Sequence, residues 1–262
     1  MDNWAAEEAA KLIWTTWQGN GRIDGLPAEC RPGTRREGYR VQSEIARLSG
    51  QEVFGWKIAA TSQAGQKHIG VDGPLAGRLL ERRVFRSGAA VPMVNNIMKV
   101  AEAEFAFRMA RDLPPRSSAY PVEEILDAVE TLHPAIEIPD SRYREFPKVG
   151  AAQLIADNAC ASYFVLGEAT RSDWRKIDLV EHCAFAFVNG KQVREGKGAN
   201  VLGDPRAALA WIVNELSEIG ETLRKGHVVT TGTCVVPFEI KPGDQLAVDF
   251  GTIGRVEARM VD

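Results

Sequence analysis

Val100-Ala101-Glu102-Ala103-Glu104-Phe105-Ala106-Phe107 reads as a β-strand with two chemically different faces. Successive side chains of a strand point to opposite sides, so residues two apart share a face. Ala101, Ala103, Phe105 and Phe107 therefore form one apolar face. Glu102 and Glu104 stand side by side on the other, next to Val100 and Ala106. Two adjacent carboxylates repel each other, and a third oxygen ligand nearby would complete a seat for a hard divalent cation. A candidate third ligand lies in His133-Pro-Ala-Ile-Glu-Ile-Pro-Asp140, where Ile136 and Ile138 alternate with Glu137 in the same pattern. The competing reading is a solvated face of an antiparallel strand, on which glutamates carry no function.

Around this strand the chain has an ordinary globular composition. Its 262 residues are enough for one large domain or for a small and a large one. A hydrophobic fraction of 45% with 26% charged residues suits a protein with a buried core. The net charge of −3 provides no basic field, so neither nucleic acid nor a membrane is an expected partner. Cys30, Cys160, Cys183 and Cys234 are scattered without CxxC spacing. They read as reduced, mostly buried thiols rather than a disulfide framework or a zinc site. The acidic start, Met-Asp-Asn-Trp-Ala-Ala-Glu-Glu, lacks the features of a signal peptide, and no apolar run approaches the length of a membrane span. A soluble cytoplasmic protein is expected.

The periodicity predicts a helix over 3–18, with Ala6, Ala9, Ala10, Ile13 and Trp17 at helical spacing. Thr34-Arg-Arg-Glu37 is a capping-box pattern that opens a second helix, which ends at Gly50. Residues 1–52 thus form a helical N-terminal section, and residues 53–262 a β-rich, metal-binding catalytic domain. In the second part, strands are predicted at 53–58, 79–85, 99–109, 133–138 and 162–166, and near 227–232, 245–250 and 253–260. Short helices are expected at 62–68, 121–129 and 153–160. Asn189-Gly190, between 184–188 and 191–195, marks a hairpin with a type I′ turn. Asp204-Pro205 opens a helix that runs to Gly220. Strands outnumber helices and the connections are irregular, so the fold class is α+β rather than a doubly wound sheet.

Lys57 stands among apolar residues in Phe54-Gly-Trp-Lys-Ile-Ala-Ala60. A buried ammonium must pair or lose its charge, so Lys57 is either an edge-strand lysine reaching water or a cation that binds a substrate carboxylate or moves protons. Gly196-Lys-Gly-Ala-Asn-Val-Leu-Gly203 lacks the spacing of a phosphate-binding loop and reads as a place where the backbone approaches a ligand or another segment. Thr230-Thr-Gly-Thr-Cys234 places hydroxyls and N–H groups where they could bind an anionic group, or is a plain turn. His68, His133, His182 and His227 share no ligand spacing and read as structural or surface residues. His133 lies four residues before Glu137.

Together, Gly55-Trp-Lys-Ile58, Ala101-Glu-Ala-Glu-Phe105, Leu132-His-Pro-Ala-Ile-Glu-Ile-Pro-Asp-Ser-Arg142, Ile155-Ala-Asp-Asn-Ala159 and Gly196-Lys-Gly-Ala-Asn-Val-Leu-Gly-Asp-Pro205 resemble one known family. It is the 2-keto-4-pentenoate hydratase / 2-oxohepta-4-ene-1,7-dioate hydratase / 4-oxalocrotonate decarboxylase family of the fumarylacetoacetate hydrolase superfamily. The resemblance extends over nearly the whole chain. It implies a mixed β-roll or sandwich core wrapped by helices, with Mg2+ or Mn2+ bound through Glu102, Glu104 and Glu137. It also implies a small 2-oxo acid substrate from aromatic-ring degradation, chelating through its carboxylate and 2-oxo oxygens, and a homo-oligomer. Lys57 matches the family's active-site lysine. Asp157 and Glu81 are further catalytic candidates, and Thr233, Gly198 and Asn200 are candidates for substrate binding.

The implied activity is hydration of a 2-hydroxydienoate to a 4-hydroxy-2-oxo acid. The alternatives are decarboxylation, C–C bond hydrolysis, or a non-catalytic partner subunit. Two departures bear on that choice. Hydratases of the family show an acidic residue followed by methionine after a Gly-x-Leu segment. Here Gly77-Arg-Leu-Leu-Glu-Arg-Arg83 puts Arg82 at the acid's place and Glu81 one residue off, and a one-residue shift in a strand reverses the face. Thr231-Gly-Thr-Cys-Val-Val236 also departs from the hydratase Gly-Ser-Leu-Thr pattern.

Overall fold

The computed structural model describes residues 1–262. Two helices open the chain. Helix α1 (Asn3–Gln18) starts where Asp2 accepts a hydrogen bond from the Ala5 N–H. Helix α2 (Arg35–Ser49) starts at the full Thr34/Glu37 capping box and stops at Gly50, which is left-handed. Their apolar faces meet through Ala6, Ala9, Ile13 and Trp17 on one side and Val41 and Ile45 on the other. Leu80, Tyr143 and Ala156 from later in the chain complete this small core.

Thirteen strands follow: β1 (Val53–Ala59), β2 (Leu75–Leu80), β3 (Val84–Arg86), β4 (Ala89–Pro92), β5 (Val100–Met109), β6 (Val129–Ile138), β7 (Tyr163–Leu166), β8 (Cys183–Val188), β9 (Lys191–Lys197), β10 (Val228–Thr233), β11 (Phe238–Glu239), β12 (Gln245–Asp249) and β13 (Arg255–Val261). Helices α3 (Gln63–Ile69), α4 (Val122–Asp127), α5 (Ala151–Ala156) and α6 (Pro205–Glu218) lie between them. One sheet has the order β2-β1-β10-β5-β6-β7-β3, with β11 pairing β5 beyond the end of β10. The second has the order β4-β13-β12-β8-β9. Pairing is antiparallel except at β1/β10, β3/β7 and β4/β13. The fold is thus α+β with a curled, mixed sheet packed on a second one.

The face of β5 assigned to the core is the core. Ala101, Ala103, Phe105 and Phe107 are fully buried and pack with Ile136 and Ile138 of β6, Val248 of β12, Val256 of β13 and Ile212 of α6. Full burial of one such large apolar side chain is worth roughly 1.5–3 kcal/mol, so this shared layer welds the sheets and α6 together. The Asn189-Gly190 turn is as expected, with φ of 52° and 79° at the two positions.

Two expectations need correction. The strand predicted at 79–85 is two strands, β2 and β3, divided by a 3-10 turn over Glu81–Arg83. The helix predicted at 153–160 stops at Ala156, and Asn158–Cys160 form a separate turn with φ of 57°, 50° and 60°. Strands β4 and β11 lie in stretches for which no element was predicted. All four cysteines are free thiols, and only Cys183 is exposed.

Candidate metal centre

Strand register builds the site. Glu102 of β5 pairs directly with Glu137 of β6, and Glu104 pairs with Ala135. Opposed residues of an antiparallel pair share a face, so the three carboxylates converge on the side away from the core. One oxygen from each lies within 4.8 Å of the others. Glu104 and Glu137 are fully buried, while Glu102 is partly buried. This is no solvated strand face.

Lys57 reaches the cluster from β1. That strand runs parallel to β10 with Lys57 opposite Thr230, and Thr230 pairs in turn with Ala106 of β5, on the glutamate side. The ammonium is buried, 2.9 Å from Glu137 Oε1, and donates to the Ala159 carbonyl at 3.0 Å. It forms a buried ion pair with Glu137. The edge-strand reading of Lys57 is therefore wrong, because its head is as buried as its stem.

Glu104 is held from the other flank. Its Oε2 accepts from the Thr230 hydroxyl and, at 2.7 Å, from the Gly232 N–H. Gly232 can supply that N–H because its φ is +91°, and a side chain there would collide with Thr61. The segment 230–234 does bind an anionic group, as its composition suggested, but that group is the protein's own Glu104. Glu104 Oε1 and Glu137 Oε2 remain buried without a hydrogen-bond donor.

Burial, joined by the Glu137 charge, pushes the Glu102 carboxyl up to about 7. Burial and the neighbouring carboxylates raise Glu104 well above its ordinary range. Burial also raises Glu137, against the pull of Lys57. For Lys57, burial disfavours the ammonium, but Glu137, Glu102 and Glu104 outweigh it and the group is held charged. Three carboxylates facing one ammonium leave excess negative charge in a dry place. Unpaired hard oxygens in that setting suit a divalent cation coordinated by oxygen.

The family model described as "Fumarylacetoacetate (FAA) hydrolase C-terminal" matches residues 81–261. The chain belongs to the fumarylacetoacetate hydrolase family. It is 32% identical to a 2-keto-4-pentenoate hydratase of Burkholderia vietnamiensis, over 100% of this chain and 99% of that one. It is 30% identical to a 4-oxalocrotonate decarboxylase of Pseudomonas putida, over 87% of this chain and 86% of that one. The solved 4-oxalocrotonate decarboxylase from Pseudomonas putida G7, complexed with magnesium and adipate, superimposes with a TM-score of 0.89 at 28% identity. That match covers 100% of this chain and 99% of the solved one.

In this member of the fumarylacetoacetate hydrolase family, not every candidate residue reaches the cluster. Glu81 does not. It is exposed on the turn after β2, whereas Lys57 pairs with Gly77 further back along that strand, so Glu81 points to water at the other end of the pair. Asp157 is fully buried, but its oxygens are taken by the Ser141 hydroxyl, the Arg142 N–H and the Arg142 Nε. It anchors the loop after β6 rather than facing the glutamates. Gly198 is needed for packing, because a Cβ there would lie 1.8 Å from the Leu179 carbonyl oxygen. Asn200 donates to the Cys234 carbonyl at 2.7 Å and so ties its loop to the end of β10. Thr233 pairs with Glu104 in register, yet its hydroxyl donates to Val235 O. His133 is structural, its ring nitrogens engaged by Thr131 Oγ1 and Gly167 O. Burial of that ring lowers its pKa.

The Thr230 hydroxyl and the Gly232 N–H belong to the segment singled out in the sequence, whereas the Ala159 carbonyl that holds Lys57 escaped it, because a main-chain atom leaves no mark in side-chain chemistry.

Proposed function

We propose that this chain is a divalent-cation-dependent hydro-lyase that adds water to a 2-hydroxydienoate, giving a 4-hydroxy-2-oxo acid in the breakdown of aromatic compounds. The observation that carries this is the buried Glu102/Glu104/Glu137 cluster with Lys57 against it. The similarity to hydratases over the full chain supports the reaction class. Glu102, Glu104 and Glu137 would hold Mg2+ or Mn2+. When bound, such an ion supplies Lewis-acid stabilisation of negative charge on the substrate's 2-oxo oxygen.

The chain's own residues do the rest. Lys57, held as an ammonium, is a donor rather than a base: it binds the substrate's carboxylate and passes protons to the reacting carbon chain. Thr230 and Gly232 fix one oxygen of Glu104 and leave the other free to bind. In the reaction, the proton leaving the 2-hydroxyl is balanced by one reaching C5, which gives a conjugated ketone. Water then adds as hydroxyl to C4 and proton to C3.

A second reading, decarboxylation of a related 2-oxo diacid, is favoured by the position of Glu81. With that carboxylate away from the cluster, the site has fewer groups to activate water, and loss of CO2 requires only return of one proton to carbon. The structural match to a decarboxylase points the same way. We further propose that the protein works in the cytoplasm as a homo-oligomer, which sedimentation velocity would show.

The test is a screen of 2-hydroxydienoates and acylpyruvates with Mg2+ or Mn2+, following ultraviolet loss and NMR of the products. A 4-hydroxy-2-oxo acid supports hydration, and released CO2 supports decarboxylation. Two cleaved acids mean C–C hydrolysis. Absence of cation binding by calorimetry would overturn the whole reading, and robust turnover excludes a non-catalytic subunit.

A further inference from the structure

We propose that the left-handed turn Asn158-Ala159-Cys160 is a positioning device for Lys57, and that Gly77 and Asn158 set it. The proposal deepens the assignment of Lys57 made above and rests on it. Three consecutive non-glycine residues occupy the left-handed region, with φ of 57°, 50° and 60°. L-residues adopt that conformation at a cost, and a run of three persists only where the surroundings over-determine it.

The surroundings do so from four directions. Asp157, just before the turn, is locked by Ser141 and Arg142. The Asn158 amide clamps β2 at one residue, accepting from the Arg78 N–H and donating to the Arg78 carbonyl, each at 2.7 Å. Cys160 O accepts from the Asp140 N–H at 2.9 Å, which ties the turn to the end of β6. Finally, Gly77, the register partner of Lys57, has no side chain, and a Cβ there would stand 2.3 Å from Asn158 O.

The outcome of this arrangement is one contact: Ala159 O accepts from Lys57 Nζ at 3.0 Å. A carbonyl, unlike a carboxylate, can aim an ammonium without adding charge. It holds Lys57 against the flank of Glu137 rather than among all three glutamates. Neither Gly77 nor Asn158 touches the glutamates or the ammonium; a Cβ at Gly77 would also stand 3.2 Å from Lys57 Cδ, so Asn158→Ala is the variant that acts through the turn alone.

The test uses Gly77→Ala and Asn158→Ala, each made in the wild-type chain and in a Lys57→Met background. Turnover with Mg2+, the Mg2+ dissociation constant by calorimetry and thermal unfolding are measured for all. In addition, the Lys57 ammonium signal is followed by 15N NMR in the cation-free protein, assigned by its loss in Lys57→Met. Positioning predicts that kcat falls about 10–100-fold in the wild-type background with Mg2+ affinity nearly unchanged. It also predicts little further loss in the Lys57→Met background. The Lys57 ammonium signal moves and exchanges faster with water. Equal losses in both backgrounds, or an unmoved ammonium signal, would overturn the proposal. If Gly77→Ala does not fold, Asn158→Ala carries the test. If the wild-type chain turns over nothing, the assigned reaction fails while the NMR measurement still decides the role of the turn.

Discussion

Lys57 Nζ lies 2.9 Å from Glu137 Oε1, although β10 and β5 separate their strands in the sheet. Neighbouring strands are about 4.8 Å apart, so a flat sheet would put these backbones roughly 14 Å from each other. Curling of the sheet and the length of both side chains close that distance. The pair is therefore a property of the whole sheet. Its net worth depends on both partners remaining, since removing one strands a buried charge.

Lys57→Met should lower turnover by about 10²–10⁴-fold, the range for loss of a proton-transferring group. It should also weaken the cation-free protein more than the Mg2+-loaded one, because the ion can take over neutralisation of Glu137. Differential scanning calorimetry with and without Mg2+ checks this. Equal destabilisation in both states would argue against a cation at Glu137.

Glu104→Ala should abolish measurable Mg2+ or Mn2+ binding, because Glu104 offers the cluster a buried oxygen with no other partner. Thr230→Val, which removes only the hydroxyl that steadies Glu104, should weaken the ion about 10–100-fold. Calorimetric titration separates the two. Turnover unchanged in Glu104→Ala would sink the assignment.

Stability should respond to pH through Glu102. An unfolded glutamate titrates near 4.3, while the folded carboxyl is pushed up to about 7. Between those values the folded state keeps a proton that the unfolded chain has released. Stability of the cation-free protein therefore falls as pH rises through that window. Added Mg2+ should oppose this fall, with a benefit that grows toward neutral pH. Burial of His133 and His227 lowers their pKa values, and both titrate in the opposite sense below about 6.5. The measurement is thus the difference in Tm between wild type and Glu102→Gln across pH. A flat difference would contradict the raised carboxyl.

Asp157→Ala should cost about 3–5 kcal/mol in urea unfolding, the usual result of stranding one partner of a buried pair. Mg2+ affinity should change little. Collapse of turnover with stability intact would instead place Asp157 in the chemistry.

The shared face of the site's glutamates could be read from alternation, and the family resemblance made them ligands. Glu102, Glu104 and Glu137 lie in two long strands whose opposite faces are plainly apolar, and pairing of those strands brings the three together. The Asn-Gly hairpin and the capped helices were equally legible, because their signals are local. What was not legible depended on contacts distant in sequence. Between Thr230 and Thr233, β10 spends three residues against two of β5, from Ala106 to Glu104. A bulge of this kind breaks the two-residue period, and so Thr230 rather than Thr233 supports Glu104. The turn at 158–160 suits Asn158 but runs against the propensities of Ala159 and Cys160, and it exists because Arg142, Arg78 and Gly77 impose it. Glu81 was misplaced for a related reason: the strand expected to carry it ends at Leu80.

Ala103, between the two glutamates, points the other way into the core, fully buried, while its carbonyl accepts the Cys234 N–H at 2.8 Å. Interior packing and carboxylate spacing are thus set by one short piece of backbone. Enlarging Ala103 by even a methyl or two would tilt β5 and change the bite that Glu102 and Glu104 offer an ion. Changes in ion preference, such as small Mg2+ against larger Ca2+, can therefore arise from substitutions in the hydrocarbon interior that never touch the ion.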